Sequence, residues 1–310
     1  MLENTAENSA NSLSAAPVKT VPPAKHENRF GARAFAFLTR WLVRLAAGCT
    51  VAVLIFLVGY ILVKGIPNLK PSLFAWTYNS DNVSLTPALL NTVLMTFFSL
   101  LIATPLGIFA AVWLVEYARR GNKLVKVVRI TTETLQGIPS IVYGLFGMLF
   151  FVTQLHWGMS LLSGACTMAI MILPLIMRTT EESLISVPDS FREGSFGLGA
   201  GKLRTVFSIV LPSAMPGILS GVVLGTGRIV GETAALMYTA GTVAAVASGT
   251  NFLFDSTRTL SVHMYVLSTE GLHVSEAFGT AVVLLVLVLA LNGLSSFIAS
   301  KLSKGKADDE

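Results

Sequence analysis

The stretch TLQGIPSIVYGLFGMLFFVTQLHWGMSLLSGACTMAIMILPLIM, residues 134–177, runs from Glu133 to Arg178 without a single Asp, Glu, Lys or Arg. About 20 apolar residues are enough to cross the hydrocarbon core of a bilayer as a helix, so this run is too long for one span. Its centre, Gln154-Leu155-His156-Trp157-Gly158, divides it into a hairpin of two spans joined by a very short turn. Toward the N-terminus, residues 45–63 and 86–115 are two further charge-free runs. Toward the C-terminus, a fifth span begins near Pro212 and extends to about Thr239, and a sixth covers residues 277–300. The chain therefore reads as an all-α integral membrane protein of about six transmembrane helices. The membrane domain is expected over residues 38–300, with tails at 1–37 and 301–310.

Composition agrees with this reading. Of 310 residues, 53% are hydrophobic and 13% charged, with a mean hydropathy of +0.69. Soluble domains carry roughly a quarter of their residues as charges, so lipid must be the solvent for most of this surface. Cys49 and Cys166 lie in apolar stretches and read as packing residues, and the four histidines have no metal-ligand spacing. No metal or cofactor is expected on this chain. The N-terminal tail, rich in Ala, Asn, Ser, Pro and Lys over its first 28 residues, reads as disordered. The first apolar run is too long for a signal-peptide core and reads as an uncleaved span.

The net charge of +5 could suggest nucleic acid, but the positions of the basic residues exclude it. Eighteen of the 22 Lys and Arg fall in the N-terminal tail, the loops after spans two and four, and the C-terminal tail. Only Lys64, Lys70 and Arg258 lie in the other loops, and Arg228 is within span five. Cytoplasmic loops carry this excess, so both termini are expected in the cytoplasm. In the outward loop 65–85, Phe74, Trp76 and Tyr78 suit an aromatic interface anchor.

The cytoplasmic loop at about 181–212 contains Arg192-Glu193-Gly194-Ser195-Phe196-Gly197-Leu198-Gly199, followed by Ile209-Val210-Leu211-Pro212. Pro188-Asp189 can start a short helix there, lying along the membrane with Glu193 toward the cytosol. The segment resembles the EAA loop of ABC importer permeases: Glu-Ala-Ala, three residues, Gly, nine residues, Ile, one residue, Leu-Pro. Glu193, Gly194 and Ser195 take the triplet, Gly199 the glycine, and Ile209, Leu211 and Pro212 the remainder. Gly194 and Ser195 depart from the two alanines, which keeps the residues small but lowers helix propensity. The resemblance implies docking on a separate ATPase subunit. Gly197-Leu198-Gly199-Ala200-Gly201-Lys202 is not a phosphate-cradling loop: Phe196 replaces the first glycine, Leu203 replaces the magnesium-binding Ser/Thr, and no strand precedes it. ATP and magnesium are thus expected on a partner.

Charges within spans mark candidate function, because each costs at least about 2.5–3.5 kcal/mol to insert. Arg228 and Glu232 are four residues apart in span five, and Arg178 with Glu181 and Glu182 forms a second group at the inner end of span four. Two readings stay open for each: ion pairs that fix packing, or a substrate path in which arginine meets an oxyanion and carboxylates moderate its affinity. Gly217, Gly221 and Gly225 form a small-xxx-small repeat that admits a neighbouring helix. Pro139 and Pro174 fall inside spans three and four, where proline permits a kink.

The stretches Gly137-Ile138-Pro139-Ser140-Ile141-Val142-Tyr143-Gly144, Arg228-Ile229-Val230-Gly231-Glu232-Thr233-Ala234 and Thr259-Leu260-Ser261-Val262-His263 resemble the phosphate-specific permease family, PstA type, over residues 40–300. The resemblance implies the type I ABC importer permease fold and import of inorganic phosphate. It also implies a PstC-type permease as heterodimer partner, PstB-type ATPase subunits and a phosphate-binding protein. Arginine alone does not distinguish phosphate from sulfate or molybdate. An intramembrane enzyme is disfavoured because Glu133, His156, Glu232 and the serines form no catalytic pattern. A channel or secondary transporter without ATP leaves the EAA-type loop unexplained.

Overall fold

The computed structural model describes residues 29–119 and 121–304, with side chains described for 37–119 and 121–297. The expected tails lie largely outside the described residues, but the first helix, α1, already begins within the expected N-terminal tail, at Arg29–Gly65. The chain divides into two units, Met1–Leu57 and Val58–Glu310. In the first unit α1 exposes its apolar side chains, among them Leu42 and Ile55 at 67% each. Such a surface has no stable place in water and suits a lipid-facing helix.

Within the second unit the order is α2 (Thr86–Val112), α3 (Lys123–Gln136), α4 (Ser140–Gly147), α5 (Leu161–Ile185), α6 (Asp189–Gly197), α7 (Lys202–Thr205), α8 (Leu211–Gly231), α9 (Ala234–Thr239), α10 (Leu260–Glu270) and α11 (Val274–Lys304). Helical turn continues α2 to Tyr117, α4 to Gln154, and α7 unbroken into α8. Among the described residues five helices are long and apolar enough to cross a membrane: Phe37–Asn68, Thr86–Tyr117, Leu161–Ile185, Lys202–Gly231 and Val274–Phe297. The pair Lys123–Gln136 and Ser140–Gln154 makes a sixth if the bent pair counts as one span.

That pair departs from the sequence expectation of a kinked span. The two segments meet at 103°. Gly137 caps α3, and Pro139, extended at ψ 142°, starts α4. Proline forces the residue before it out of the helical region, so the chain breaks where hydropathy reads continuity. The hairpin turn follows expectation: His156 and Gly158 take positive φ of 55° and 67°, and Ser160 caps α5 by accepting from the Ser163 amide at 3.2 Å. Pro174 sits within an unbroken α5.

The fifth span starts ten residues before Pro212 and ends at Gly231, not Thr239. A widened turn at Val206–Val210 precedes Pro212, whose ring nitrogen has no hydrogen to donate. At the far end Glu232 is extended (ψ 131°) and its carboxylate accepts from the Ala235 amide at 3.1 Å, capping α9 in a new direction.

Three apolar clusters run along the bundle. Met95, Met168, Ile172, Ile176 and Leu236 fill the centre between α2, α5 and α9. Leu114, Leu184, Val206 and Ile218 close the end that carries α6. Leu73, Val83, Leu85, Leu260 and Leu267 close the opposite end. α8 lies on α5 through its small residues. A Cβ on Gly217 would strike the Ser183 side chain and one on Gly221 the Thr179 side chain, whereas one on Gly225 would sit 3.8 Å from Ile176.

Candidate translocation site and coupling loop

The three sequence stretches that carry the family resemblance meet in space. Tyr143 and Gly144 on α4 lie against α9, so closely that a Cβ on Gly144 would stand 2.7 Å from the Ala235 Cα. The Tyr143 hydroxyl donates to the Leu135 carbonyl at 2.8 Å, bridging the Gly137–Pro139 break from the far side. From α10, the Ser261 hydroxyl donates to the Glu232 carbonyl at 2.5 Å. Glu232 is therefore a corner at which α8, α9 and α10 are tied together.

Arg228 occupies the last turn of α8, half-buried. Because the helix ends before Glu232, the i,i+4 ion pair open to the sequence does not form. Among the described residues Arg228 has no hydrogen bond or ion pair, and the Tyr143 hydroxyl lies within its electrostatic reach. This half-buried guanidinium in the last turn of its span can supply five N–H donors to an oxyanion.

The second charged group is larger than its sequence signature. Arg178 bonds Glu133 of α3 and Glu182 of its own helix, each at 3.0 Å. Arg129 of α3 pairs with the buried Glu181. Two arginines and three carboxylates thus join α3 to α5 around a cavity of about 220 Å³. Gln136 adds a bond from its side-chain amide to the Pro174 carbonyl at 3.1 Å. The structure does not bring Arg178 and Arg228 into a shared bond. Sequence reasoning missed Arg129 and Glu133 as partners, and only their helical spacing on α3 offered a signal.

The segment whose sequence resembles the EAA loop folds as α6, α7 and the start of α8. α6 follows Pro188 and ends at Gly197; two residues on, Gly199 takes a φ of +82° that is open to glycine and closes the turn, its amide donating to the Phe196 carbonyl at 2.9 Å. Glu193, Phe196 and Leu198 are exposed, Leu198 at 91%. Ser195 is buried, and its hydroxyl lies 2.8 Å from that of Thr205, locking α6 to α7. Nothing lies within 4 Å of a Cβ built on Gly194, so the family's alanine fits there. Ile209, Leu211 and Pro212 are half-buried where α7 turns into α8.

Two further groups escaped the sequence. Arg192 reaches back to α2: its Nε and Nη2 bond one oxygen of Glu116 at 3.1 and 2.8 Å. The same guanidinium donates to the Val187 and Leu184 carbonyls and to Asp189. At the opposite end, outside the candidate spans, buried Arg258 donates to the Thr242 carbonyl at 2.8 Å and to His263 Nδ1 at 3.1 Å, with its guanidinium 5.3 Å from the Tyr78 ring centre. Burial, and then the Arg258 charge, push the His263 imidazole down to about 4, against a weaker opposing effect of the Val83 backbone. Among the described residues its Nε2 has no hydrogen-bond partner. Asn91 fixes the adjoining loop to α2, donating to Ala245 at 2.8 Å and accepting from Ala247 at 3.2 Å.

A helical membrane bundle with a short helix between two spans, and a corner at Glu232 where α8, α9 and α10 meet, fits the fold of ABC importer permeases. Residues 103–306 match the family described as binding-protein-dependent transport system inner membrane component, and the chain belongs to that family. It is 33% identical over 276 residues to the probable ABC transporter permease protein YqgI of Bacillus subtilis, covering 84% of this chain and 93% of that one. It is 33% identical over 213 residues to the phosphate transport system permease protein PstA 1 of Mycobacterium tuberculosis (H37Rv), covering 68% of each. Among solved structures, a bacterial alginate ABC transporter in complex with an alginate pentasaccharide-bound periplasmic protein aligns at a TM-score of 0.60. It shares 15% identity and covers 88% of this chain and 99% of that one. An inward-facing MetNI methionine ABC transporter aligns at 0.53, with 20% identity over 79% and 97%. At such identities the likeness is one of fold.

Proposed function

We propose that this chain is the PstA-type permease subunit of an ATP-driven importer of inorganic phosphate in a bacterial inner membrane, with both termini in the cytoplasm. It pairs with a PstC-type permease to enclose the path. PstB-type ATPase subunits bind ATP and magnesium, and a phosphate-binding protein delivers the anion from outside. The observation that carries the reading is Arg228, without a carboxylate partner at the corner where the three family stretches meet.

Phosphate meets the Arg228 guanidinium, whose planar N–H donors suit a tetrahedral oxyanion. Closure of the ATPase pair pushes on α6, through the exposed face of Glu193, Phe196 and Leu198, and Arg192 carries the motion to α2. The anion leaves past Arg178, where Glu133, Glu181 and Glu182 compete for the positive charge and keep its residence short.

The test is uptake of labelled orthophosphate at limiting concentration in cells lacking this gene and complemented with it, with sulfate and molybdate as competitors. Restored uptake insensitive to both competitors is expected. No restoration, or abolition of uptake by either competitor, removes phosphate as the substrate while leaving the family membership intact.

A further inference from the structure

From the geometry we infer a binding site for one anionic phospholipid headgroup between the end of α2 and the start of α3, beside the charged group around Arg178. The cavity there measures about 610 Å³, and its apolar lining is Leu114, Val115, Val125, Ile130 and Ile185. Four cations, Arg119, Lys123, Lys126 and Arg129, line it as well. Glu133, its one carboxylate, is held by Arg178, and Arg129 is held by Glu181. Arg119, Lys123 and Lys126 have no carboxylate partner among the described residues. Three uncompensated cations beside an apolar lining match an amphiphile with an anionic head.

A separate observation bears on depth. The apolar span through α2 ends at Tyr117, and Trp113 and Tyr117 are exposed there, as aromatic side chains are at the headgroup level. The Lys202 ammonium sits 5.1 Å from the centre of the Tyr117 ring, at the same level. The cavity therefore opens where phosphodiester groups lie, and basic pockets between spans at that level bind anionic headgroups. A free anion would leave the apolar lining uncovered, whereas an acyl chain covers it.

The experiment is native mass spectrometry of the full-length chain released from detergent and titrated with phosphatidylglycerol or phosphatidylcholine. Each cation near an anionic headgroup strengthens binding roughly fivefold. At least a tenfold preference for phosphatidylglycerol is expected in the wild type, with loss of that preference in R119Q/K123Q/K126Q. If the triple variant does not fold, K123Q/K126Q, at two exposed positions, is expected to lose at least fivefold. The control R40Q/R44Q/K64Q removes the same net charge and is expected to keep the preference. An unchanged preference in the cavity variants, an equal loss in the control, or displacement of the lipid by orthophosphate overturns the site.

Discussion

Arg192→Met cuts the tie between α6 and α2. In the wild type the guanidinium makes five bonds, two of them to Glu116, whose side chain is 8% exposed against 15% for Arg192. Removing one partner of a buried pair leaves the other uncompensated and costs about 3–5 kcal/mol. Two backbone carbonyls, of Leu184 and Val187, also lose a charged donor. At about 2 °C per kcal/mol for a chain of this size, the melting temperature should fall by about 6–10 °C. Glu116→Gln keeps a hydrogen-bond acceptor and should lose less, about 1–3 kcal/mol. The double variant should be milder than the sum of the two by about 1–3 kcal/mol, because the stranded charge is then gone. Thermal unfolding in detergent, followed by tryptophan fluorescence, reads all four proteins. Additive shifts, or a shift below about 2 °C for Arg192→Met, would show that the two side chains do not act as a pair.

Three other outcomes follow from the same geometry. The His263 ring has a folded value near 4 against an ordinary 6.5, so the unfolded chain takes up a proton that the folded one refuses. Stability is full above about pH 6.5 and falls as the pH drops toward 4, by about 3 kcal/mol in total. Melting temperatures from pH 7.5 to 4.5 should show this loss and His263→Gln should flatten it; equal slopes in both proteins would remove His263 as the cause. Gly221→Ala should cost about 1–3 kcal/mol by driving a methyl into Thr179, whereas Gly225→Ala, with its nearest contact at 3.8 Å, should cost nothing and gain up to about 1 kcal/mol from helix propensity. Equal melting shifts for the two would contradict the close α5–α8 approach. Gly194→Ala fits open space on α6 and should raise stability by about 0.8–1 kcal/mol through helix propensity, with uptake unchanged; a lower melting temperature would mean that the position needs glycine.

Hydropathy disclosed the spans because lipid imposes a one-dimensional rule, namely charge-free runs of fixed length. The ends of those spans were less legible. Pro139 produced a 103° break instead of a kink, and Glu232 left the helix to cap α9, since both depend on backbone hydrogen bonds that hydropathy ignores. α6 was readable because Pro188, Gly199 and the spacing from Glu193 to Pro212 are local signals. Arg192–Glu116 and Arg178–Glu133 join residues 76 and 45 positions apart, and no periodicity in one chain reports such pairs. Arg258 and His263 are only five apart, but their burial together with Tyr78 depends on how the outer loops fold over α2.

The most direct measurement on the transport site uses the complete importer in proteoliposomes, comparing wild type, Arg228→Lys and Arg228→Gln for orthophosphate uptake and for binding-protein-stimulated ATP hydrolysis in the same preparation. If Arg228 meets the anion, uptake by Arg228→Gln falls at least tenfold, Arg228→Lys retains an intermediate rate, and stimulated hydrolysis persists in both. Wild-type uptake by Arg228→Gln would place the anion path elsewhere.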